Sequence, residues 1–363
     1  MKKWKVGLIG CGGMAAFYRD IYRNMPGVEL DYVVALTEEE ARRTAEELGV
    51  KHYSMHYEDC LNSDVDIVDI STPNHLHKEQ FLAAVKAGKH VLLQKPIAPD
   101  LEEAREILEV AQKSGLKTGM FMSRRCIGAY HEMKRMIQAG VIGQVASVHA
   151  RTALIRKPGI TNAENWRNSL KMTGGGALIQ LGIHDYDLLQ WLLEENVVSI
   201  SAFSDNIMSP HIGGDDMTQS LVRFQSGIMG IVEASYCSTQ SFLEIYGREG
   251  VLTYRNGKLI IRASHTYESE VVVYDNPGKE SAFDMPSGNQ VIFSLDNPYE
   301  QHVMFLKAVM NDEEVPVSIL EGYEDLLIVK AAYESAQTGK TVYIDEMKAK
   351  VGGNCEEDQN RCI

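Results

Sequence analysis

Short apolar segments alternate with amphipathic segments over the first third of the chain. Apolar runs of strand length occur at residues 4–9, in "ELDYVVAL", "VDIVDIST" and "HVLLQ", and finally in "KTGMFMS". Between them lie segments with helical signals. "TEEEARRTAEELG" begins at Thr37, has Glu40 three residues later and ends at Gly49, which is a capping-box pattern. This alternation predicts β-α-β units and a parallel sheet up to about residue 123.

The pattern changes after residue 123. A helix, "GAYHEMKRMIQAG", leads to a strand-like segment and a polar loop at 156–176, and "ALIQLGIHDYDLLQWLL" has helical spacing. Strands dominate residues 197–295, and several alternate apolar and polar positions, as in an antiparallel sheet with one covered face. Two further helices follow. Residues 346–363 are polar, acidic and without period, which predicts a disordered tail.

The segment after the first strand has the composition of a phosphate-binding loop. Gly10-Cys11-Gly12-Gly13-Met14-Ala15 reads G-x-G-x-x-A between a strand and a helix. The first glycine allows a tight turn, the second admits a pyrophosphate, and the helix N-terminus supplies N–H donors. We therefore predict an α/β protein with a Rossmann dinucleotide-binding domain at 1–123, a second α/β domain with a large, mostly antiparallel sheet at 124–345, and the tail at 346–363.

The residue that would meet the adenosine ribose is ambiguous. Aligned on the second strand, Glu38 takes the place of the acid that binds the ribose hydroxyls; aligned on the following helix, Leu36 or Thr37 does. In the second alignment Arg42 and Arg43 could meet a 2′-phosphate. NAD is favoured as the cofactor, and NADP stays possible.

Composition narrows the function classes. The chain has 363 residues and a formal net charge of −14, with no block of Lys or Arg, so nucleic acid and anionic membranes are not expected partners. No apolar stretch reaches the roughly 20 residues of a membrane span. The six cysteines are scattered without C-x-x-C, which indicates a reduced, cytoplasmic protein, and no cluster has metal-ligand spacing.

A lysine stands where the fourth long apolar strand ends. In "HVLLQKPIAPD", Lys95 follows the strand and precedes Pro96, whose fixed φ places the lysine at a chain corner. The carboxyl ends of parallel strands form the crevice in which such sheets bind ligands. Lys95 can therefore meet substrate and nicotinamide together, and a lysine whose pKa approaches neutrality can transfer a proton.

Several motifs together resemble the glucose–fructose oxidoreductase/inositol dehydrogenase family (Gfo/Idh/MocA). They are "STPNHLH" at 71–77, "AGKHVLLQKP", "NWR" at 165–167 and "GGGALIQLGIHDYD" at 174–187. The resemblance implies NAD(P)-linked oxidation or reduction of a sugar, polyol or related molecule by a homo-dimer or homo-tetramer. It assigns acid/base roles to Lys95 and His184, and cofactor contacts to the turn Ser71–Asn74 and to Trp166 and Arg167.

Two positions depart from the family's pattern. The family's E-K-P reads Gln94-Lys95-Pro96, and the aspartate four residues before the histidine is Gln180. Both changes remove a carboxylate near the chemistry. On a regular helix Gln180 and His184 share a face, and Asp187 follows three residues later, where it could offset an imidazolium charge or pair elsewhere. Arg125 is favoured over Arg124 as an anchor for ligand.

The candidate site residues follow from these motifs. The predicted catalytic residues are Lys95, His184, Gln180 and Asp187. The predicted cofactor contacts are Gly10, Cys11, Gly12, Gly13, Met14, Glu38, Ser71, Thr72, Pro73, Asn74, His77, Gln94, Lys95, Arg125, Trp166, Arg167 and Tyr299. Two other functions stay open: a redox-neutral, NAD-dependent glycosidase or lyase, and a regulator that senses dinucleotide and sugar without turnover.

Overall fold

The computed structural model describes residues 3–12, 21–22, 25–155, 165–263, 270–275, 281–284, 290–293 and 300–358. The described strands are Trp4–Ile9 (β1), Val28–Val34 (β2), His52–Ser54 (β3), Ile67–Ile70 (β4), His90–Gln94 (β5), Thr118–Phe121 (β6), Val145–Ala153 (β7), Val197–Asp205 (β8), Met217–Phe224 (β9), Met229–Ser235 (β10), Phe242–Gly247 (β11), Gly250–Arg255 (β12), Lys258–Ala263 (β13), Glu270–Asp275 (β14), Ser281–Asp284 (β15), Gln290–Phe293 (β16) and Val342–Tyr343 (β17). The described helices are Glu38–Leu48, Tyr57–Leu61, His77–Lys86, Leu101–Ser114, Gly128–Gln138, Leu170–Thr173, Ile183–Leu193, Glu300–Asn311, Ile319–Thr338 and Ile344–Asp358. Short 3₁₀ turns lie at Asn74–Leu76, Ser123–Cys126 and Trp166–Asn168, and a π turn lies at Leu178–Gly182.

The first six strands form one sheet in the order β3-β2-β1-β4-β5-β6, and all neighbouring pairs are parallel. Both faces are buried, since Leu8 and Ile9, adjacent in β1, belong to two different core clusters. This explains why the strands read as continuous apolar runs. The strand order reverses between β1 and β4, where sheets of this kind bind ligands at the carboxyl ends of the strands. The predicted Rossmann sheet is confirmed.

The second sheet has nine strands in the order β14-β13-β12-β11-β7-β10-β9-β8-β17. Only β7 and β10 pair in parallel, and the other pairs are antiparallel. In β9 the buried positions alternate with exposed ones. Helices cover one face: the Tyr186 hydroxyl, on helix Ile183–Leu193, lies 2.8 Å from the Ser220 hydroxyl in β9. The predicted mixed, mostly antiparallel sheet is confirmed.

A late helix returns to the first sheet. Helix Glu300–Asn311 packs Phe305 and Leu306 into the same cluster as Val6 and Leu8 of β1. At its start, the buried Gln301 side chain accepts from the Met122 amide and donates to the Met120 carbonyl, both at 2.7 Å. The division at 124–345 therefore does not describe the packing, because this helix belongs to the core of the N-terminal sheet.

The C-terminal segment is more ordered than its composition indicates. Helix Ile344–Asp358 covers most of residues 346–363, for which the sequence predicts a disordered tail. Ile344, Met347 and Val351 follow a helical spacing and pack against the core. Asp345 and Glu346 lie in the first turn, where the helix dipole favours negative charge. The tail prediction overlooked this spacing; residues 359–363 lie outside the described residues.

Candidate active site

The glycine loop brings the ends of β1 and β4 into contact. Gly10 has φ of +101°, and a Cβ added there would lie 2.8 Å from the Ser71 carbonyl carbon. Glycine is therefore required both for the backbone conformation and for space. At Gly12 an added Cβ would meet no atom of the described residues within 4 Å, so the backbone there is open to a ligand. These two positions fit a dinucleotide pyrophosphate; Gly13 and Met14 lie outside the described residues.

The Cys11 side chain points away from this opening. Its thiol donates to the Val34 carbonyl at 3.2 Å, and burial raises the pKa of the thiol to about 12. The group is therefore a packed thiol at neutral pH. If Cys11 contacts the cofactor, as the sequence predicts, it can do so through its main chain.

The segment after β2 presents negative charge. Thr37 caps the following helix, accepting from the Glu40 amide at 3.2 Å, so Glu38 is the first helical residue and is exposed. Glu38, Glu39 and Glu40 fill the first turn. Leu36 is 84% exposed directly after the strand. This geometry leaves Glu38 accessible to a ribose.

The two arginines considered for a 2′-phosphate lie further along this helix. Arg42 pairs with Glu46 at 2.6 Å on the exposed surface, and Arg43 is also exposed. Neither occupies the first turn, where the three glutamates stand.

The turn Ser71–Asn74 is held by side chains on both sides. Ser71 donates to Asp69 at 2.9 Å, and the hydroxyl of Thr72 donates to Gln80 at 2.6 Å. Pro73 caps the 3₁₀ turn Asn74–Leu76. The buried Asn74 amide donates to the Thr173 carbonyl at 3.0 Å and so joins this turn to the segment that follows Trp166 and Arg167.

His77 occupies a different place from the one its prediction requires. The ring is fully buried, with Nδ1 at 2.8 Å from the Pro96 carbonyl and Nε2 at 3.0 Å from the Thr72 carbonyl. Both nitrogens face protein carbonyls. The ring is therefore closed to a direct ligand contact in this arrangement, and His77 contacts instead the turn Ser71–Asn74, for which the sequence predicts cofactor contacts.

Lys95 lies at the corner after β5, as predicted. Its ammonium donates to the Gln180 carbonyl at 2.7 Å, and the Gln94 side chain accepts from the Lys95 amide at 3.1 Å. Burial, then the positive charges of Arg167 and Arg124, lower the pKa of Lys95 to about 7. The lysine can therefore both take up and release a proton near neutral pH.

His184 faces the same group of charges. Burial, followed by the charges of Lys95 and Arg124, lowers the pKa of His184 well below its usual value, so the ring is neutral. Its Nδ1 is buried and has no hydrogen-bond partner within the described residues. A buried imidazole nitrogen in this position can bind a ligand hydroxyl.

A π turn precedes His184. In Leu178–Gly182 the Ile183 amide donates to the Leu178 carbonyl, five residues back. The wider turn changes the angular relation that a regular helix gives residues four apart, so the shared face predicted for Gln180 and His184 does not follow from spacing alone. Such turns are frequent at functional sites.

Gln180 connects two other site residues. Its side-chain oxygen accepts from the Tyr236 hydroxyl at 3.2 Å, and its amide lies 3.4 Å from the Arg167 carbonyl. Tyr236 is buried, directly after β10, and the sequence analysis did not select it. A single tyrosine at a strand end is common in cores, so only the adjacent sheet topology could have indicated its position.

Adjacent arginines have different partners, contrary to the preference for Arg125. Arg125 binds Asp187 through Nε at 2.9 Å and Nη2 at 2.5 Å, and Glu321 through Nη1 at 2.6 Å. The carboxylate of Asp187 is fully buried in this pair. Of the two alternatives that the sequence leaves open for Asp187, this geometry favours pairing elsewhere, with Arg125, over offsetting an imidazolium charge on His184.

Arg124, like Arg167, contributes its charge to the surroundings of Lys95. Its guanidinium pairs with Asp185 and donates to the Thr152 hydroxyl at 2.6 Å. Its charge contributes to the lowered pKa of both Lys95 and His184. Arg124, and not Arg125, thus belongs to the electrostatic environment of the site.

The remaining predicted residues fall into two groups. The Arg167 guanidinium lies 4.5 Å from the centroid of the Trp166 ring, at the 3₁₀ turn near Lys95. Tyr299 lies outside the described residues.

Across the part of the chain that the structure describes, no three His, Cys, Asp or Glu side chains are grouped to hold a metal ion. Within the same ranges no helix is long and apolar enough to cross a membrane.

The three consecutive glycines before the π turn are required for packing. An added Cβ would lie 2.0 Å from the Pro99 carbonyl oxygen at Gly174 and 1.8 Å from the Asp215 carbonyl oxygen at Gly176. The Asp215 carboxylate accepts from the Gly176 and Leu178 amides at 2.8 Å. These contacts support a structural role for the three glycines at the entry to the helix.

Comparison with known proteins agrees with the two sheets. Residues 4–122 match the oxidoreductase family with an NAD-binding Rossmann fold, and residues 130–253 match the GFO/IDH/MocA C-terminal domain. The chain is 31% identical to 1,5-anhydro-D-fructose reductase of Ensifer adhaerens, over 70% of this chain and 76% of that protein. It is 28% identical to scyllo-inositol 2-dehydrogenase (NAD(+)) of Bacillus subtilis (strain 168), over 96% of this chain and 98% of that protein.

Solved structures show the same fold. Levoglucosan dehydrogenase in complex with NADH and levoglucosan superposes with a TM-score of 0.82 at 25% identity, covering 94% of this chain and 99% of the other. An NAD-binding oxidoreductase from Klebsiella pneumoniae gives a TM-score of 0.80 at 25% identity, with the same coverage of both chains.

Proposed function

Because this chain belongs to the GFO/IDH/MocA family of NAD-binding oxidoreductases, we propose that it transfers a hydride between nicotinamide and a hydroxyl or keto carbon of a sugar or polyol. Several relatives support the substrate class by name, among them a reductase of an anhydro sugar and a dehydrogenase of an inositol. NAD is the proposed cofactor, with NADP as the alternative.

The observation that carries this proposal is Lys95 at the carboxyl edge of the Rossmann sheet with a pKa of about 7. Nicotinamide, when bound, supplies or accepts the hydride. The remaining requirement is a proton transfer at the substrate oxygen. Lys95 can accept that proton during oxidation and return it during reduction. Gln94, in place of a carboxylate, adds no negative charge that would favour the ammonium form.

The cofactor's parts correspond to separate features of the chain. The backbone at Gly10 and Gly12 would hold the pyrophosphate, and Glu38 the adenosine ribose. The turn Ser71–Asn74 would contact the nicotinamide half, because it lies between Gly10 and the Lys95 corner. Trp166 and Arg167 would close the site from the other side.

His184 is proposed to share the acid/base role or to bind the reacting oxygen. Its ring is neutral and has an unpaired buried Nδ1, so it can accept or donate one hydrogen bond to a substrate hydroxyl. Gln180 is proposed to orient substrate together with Tyr236, because their side chains already form a hydrogen bond. Gln180 and Tyr236 carry no negative charge that would stabilise a protonated His184. Proton transfer is therefore expected to depend chiefly on Lys95.

The test measures absorbance at the reduced-nicotinamide band. Protein would be mixed with NAD or NADP and a panel of hexoses, inositols, sugar acids and nucleotide sugars, with Lys95→Ala alongside. A signal that disappears in the variant is the expected result. Dinucleotide binding without any signal would overturn the net redox reaction; product analysis of glycosides would then separate the redox-neutral enzyme from a sensor.

We also propose that two or four copies of the chain associate through the open face of the nine-stranded sheet. Leu221 in β9 is 61% exposed and lies opposite Ile231 of β10, which is 41% exposed. Phe203 in β8 is 86% exposed and Met229 in β10 is 55% exposed. These exposed apolar side chains, which lie beside the exposed Gln219 and Arg223 of β9, fit a self-complementary interface.

A cytoplasmic location is proposed on the cysteine chemistry. Cys11, Cys60, Cys126 and Cys237, whose side chains are described, are all free thiols. Free thiols of this number are typical of reducing compartments.

A further inference from the structure

A buried imidazole lies between two loops that the proposed reaction uses. His77 begins helix His77–Lys86, just after the turn Ser71–Asn74, and its side chain is fully buried. One ring nitrogen lies 3.0 Å from the carbonyl of Thr72, beyond the end of β4. The other lies 2.8 Å from the carbonyl of Pro96, beyond the end of β5. The ring therefore spans two neighbouring strand ends of the sheet.

We propose that His77 is a positioning residue that couples the cofactor-contacting turn to the corner carrying Lys95. This inference rests on the proposed function, because it takes the turn Ser71–Asn74 as a cofactor contact and Lys95 as the proton-transfer group. Imidazole is a rigid ring with nitrogens on opposite sides, so it holds the two carbonyls at a defined separation.

The contacts on either side of His77 make a continuous path. Gly10 approaches the Ser71 carbonyl, Thr72 follows Ser71, and the Thr72 carbonyl meets the ring. The other ring nitrogen of His77 meets the carbonyl of Pro96, which directly follows Lys95. The Lys95 ammonium in turn donates to the Gln180 carbonyl. A ligand that fixes the glycine loop and the turn therefore also acts on the backbone that orients the lysine.

The protonation state shapes this link. Burial lowers the pKa of His77 to about 4, so the ring is neutral at physiological pH and donates from one nitrogen only. Each neutral tautomer then donates to one carbonyl, and its unprotonated nitrogen faces the other carbonyl oxygen without a proton between them. A phenylalanine would keep the planar volume but remove the ring's one donor, whereas glutamine keeps an amide donor on a side chain of similar reach.

The test compares His77→Phe and His77→Gln with wild type. The readouts are the Kd for NADH, kcat and KM, the pH profile of kcat, and the melting temperature. We expect His77→Phe to raise the Kd for NADH and to lower kcat, by about tenfold in their combined effect, because the ring's single hydrogen bond and its contact with the second carbonyl are both lost. His77→Gln should recover most of both losses. His131→Phe is the matched control, since His131 packs edge-on against Trp191 on another helix.

Two results separate this inference from the proposed function. A lower melting temperature with unchanged Kd, kcat and pH profile in His77→Phe would reduce His77 to a structural residue and overturn the coupling. If His77→Phe does not fold, His77→Asn replaces it, because the shorter asparagine side chain cannot span both carbonyls. Unchanged Kd for NADH and unchanged kcat in His77→Asn would likewise overturn the coupling. If Lys95→Ala retains full turnover, the acid/base role of Lys95 fails instead. If wild type binds NADH but shows no turnover with any substrate, the proposed function fails, while the NADH affinity still tests the link from His77 to the turn Ser71–Asn74.

Discussion

The ammonium nitrogen of Lys95 donates a 2.7 Å hydrogen bond to the main-chain carbonyl of Gln180, a residue 85 positions later in the chain. The bond joins the edge of the Rossmann sheet to the π turn that leads into helix Ile183–Leu193. A carbonyl accepts from the ammonium without adding a full negative charge. Lys95 is thereby oriented while its pKa stays near neutrality, which is the condition for proton transfer in both directions.

Replacing the lysine by methionine tests its chemical role. Lys95→Met keeps the length of the side chain and removes the transferable proton, so turnover should fall by at least ~10²-fold while NADH affinity stays within about twofold. Lys330→Met is the matched control. The Lys330 ammonium also donates to a carbonyl, that of Gly174, at 2.7 Å, and burial lowers its pKa to about 8. Steady-state kinetics and NADH titration are the measurements. An equal loss of turnover in Lys95→Met and Lys330→Met would contradict the proton-transfer role of Lys95.

The pH profile should follow the protonation of Lys95. In the direction of alcohol oxidation only the neutral amine accepts a proton, so kcat should rise as pH increases through about 7. In the direction of reduction the ammonium donates, so kcat should fall over the same range. Profiles measured in both directions, at saturating cofactor, would disagree with this assignment if they changed in the same sense.

Arg167 should set the position of the oxidation limb, which is the pH range over which kcat for oxidation rises. Its positive charge is the largest electrostatic contribution to the lowered pKa of Lys95 after burial. Arg167→Met should therefore move the oxidation limb to higher pH. Arg135→Met is the control, because Arg135 pairs with Glu132 on the exposed face of another helix. A limb that stays in place in Arg167→Met would show that another group titrates.

Asp187 should matter for stability and not for proton transfer. Asp187→Asn leaves the buried side of Arg125 without its bidentate partner, so the free energy of unfolding should fall by about 3 kcal/mol. The pH profile of kcat should be unchanged. Urea unfolding of Asp187→Asn, Arg125→Met and the double variant should give a double loss smaller than the sum of the single losses. Full stability with a loss of kcat would restore the catalytic role predicted for Asp187.

The first turn after β2 should select against NADP. A 2′-phosphate would approach the carboxylates of Glu38, Glu39 and Glu40, which repel it, so NAD should bind at least about tenfold more tightly than NADP. The triple variant with Gln at all three positions should reduce the ratio of the Kd for NADP to the Kd for NAD. Glu46→Gln with Glu47→Gln, at the other end of the same helix, is the control. Equal affinities of wild type for the two cofactors would exclude this explanation.

The apolar face of the nine-stranded sheet should carry the oligomer interface. Leu221→Asp places a charge at its centre, opposite Ile231, and should shift the protein to monomers in sedimentation experiments. Leu320→Asp is the control, because Leu320 is also exposed but lies on helix Ile319–Thr338. A wild type that sediments as a monomer at micromolar concentration would contradict the proposed association.

Features that depend on neighbouring residues could be read from the sequence. The alternation of apolar runs and capped helices predicted the parallel sheet, because strand length, helix caps and burial on both faces are set by residues close in the chain. The carboxyl ends of parallel strands meet at one edge. The glycine loop at Gly10, the turn at Ser71 and the corner at Lys95 could therefore be assigned to one site without knowledge of their distances.

Contacts between distant segments could not be read in the same way. Tyr236 reaches Gln180 because the π turn packs on β10, where a Cβ added at Gly182 would lie 3.1 Å from the Ala234 Cβ, and no local signal records that contact. The His77 ring contacts two carbonyls that lie beyond the ends of different strands. Its burial between them, which closes the ring to direct ligand contact, depends on the packing of those strand ends. Helix Glu300–Asn311 was assigned to the second domain by position, although its apolar face fits the first sheet.

Arg124 and Arg125 mark the boundary between the two kinds of information. The sequence determined that two cations follow the last strand of the Rossmann sheet, at the carboxyl edge where a ligand is predicted to bind. Only the tertiary structure decided that Arg124 pairs with Asp185 beside Lys95, while Arg125 pairs with Asp187 and Glu321. The physical reason is that the 3₁₀ turn Ser123–Cys126 directs adjacent side chains apart, toward carboxylates about 60 to 200 residues away whose positions depend on the packing of two helices.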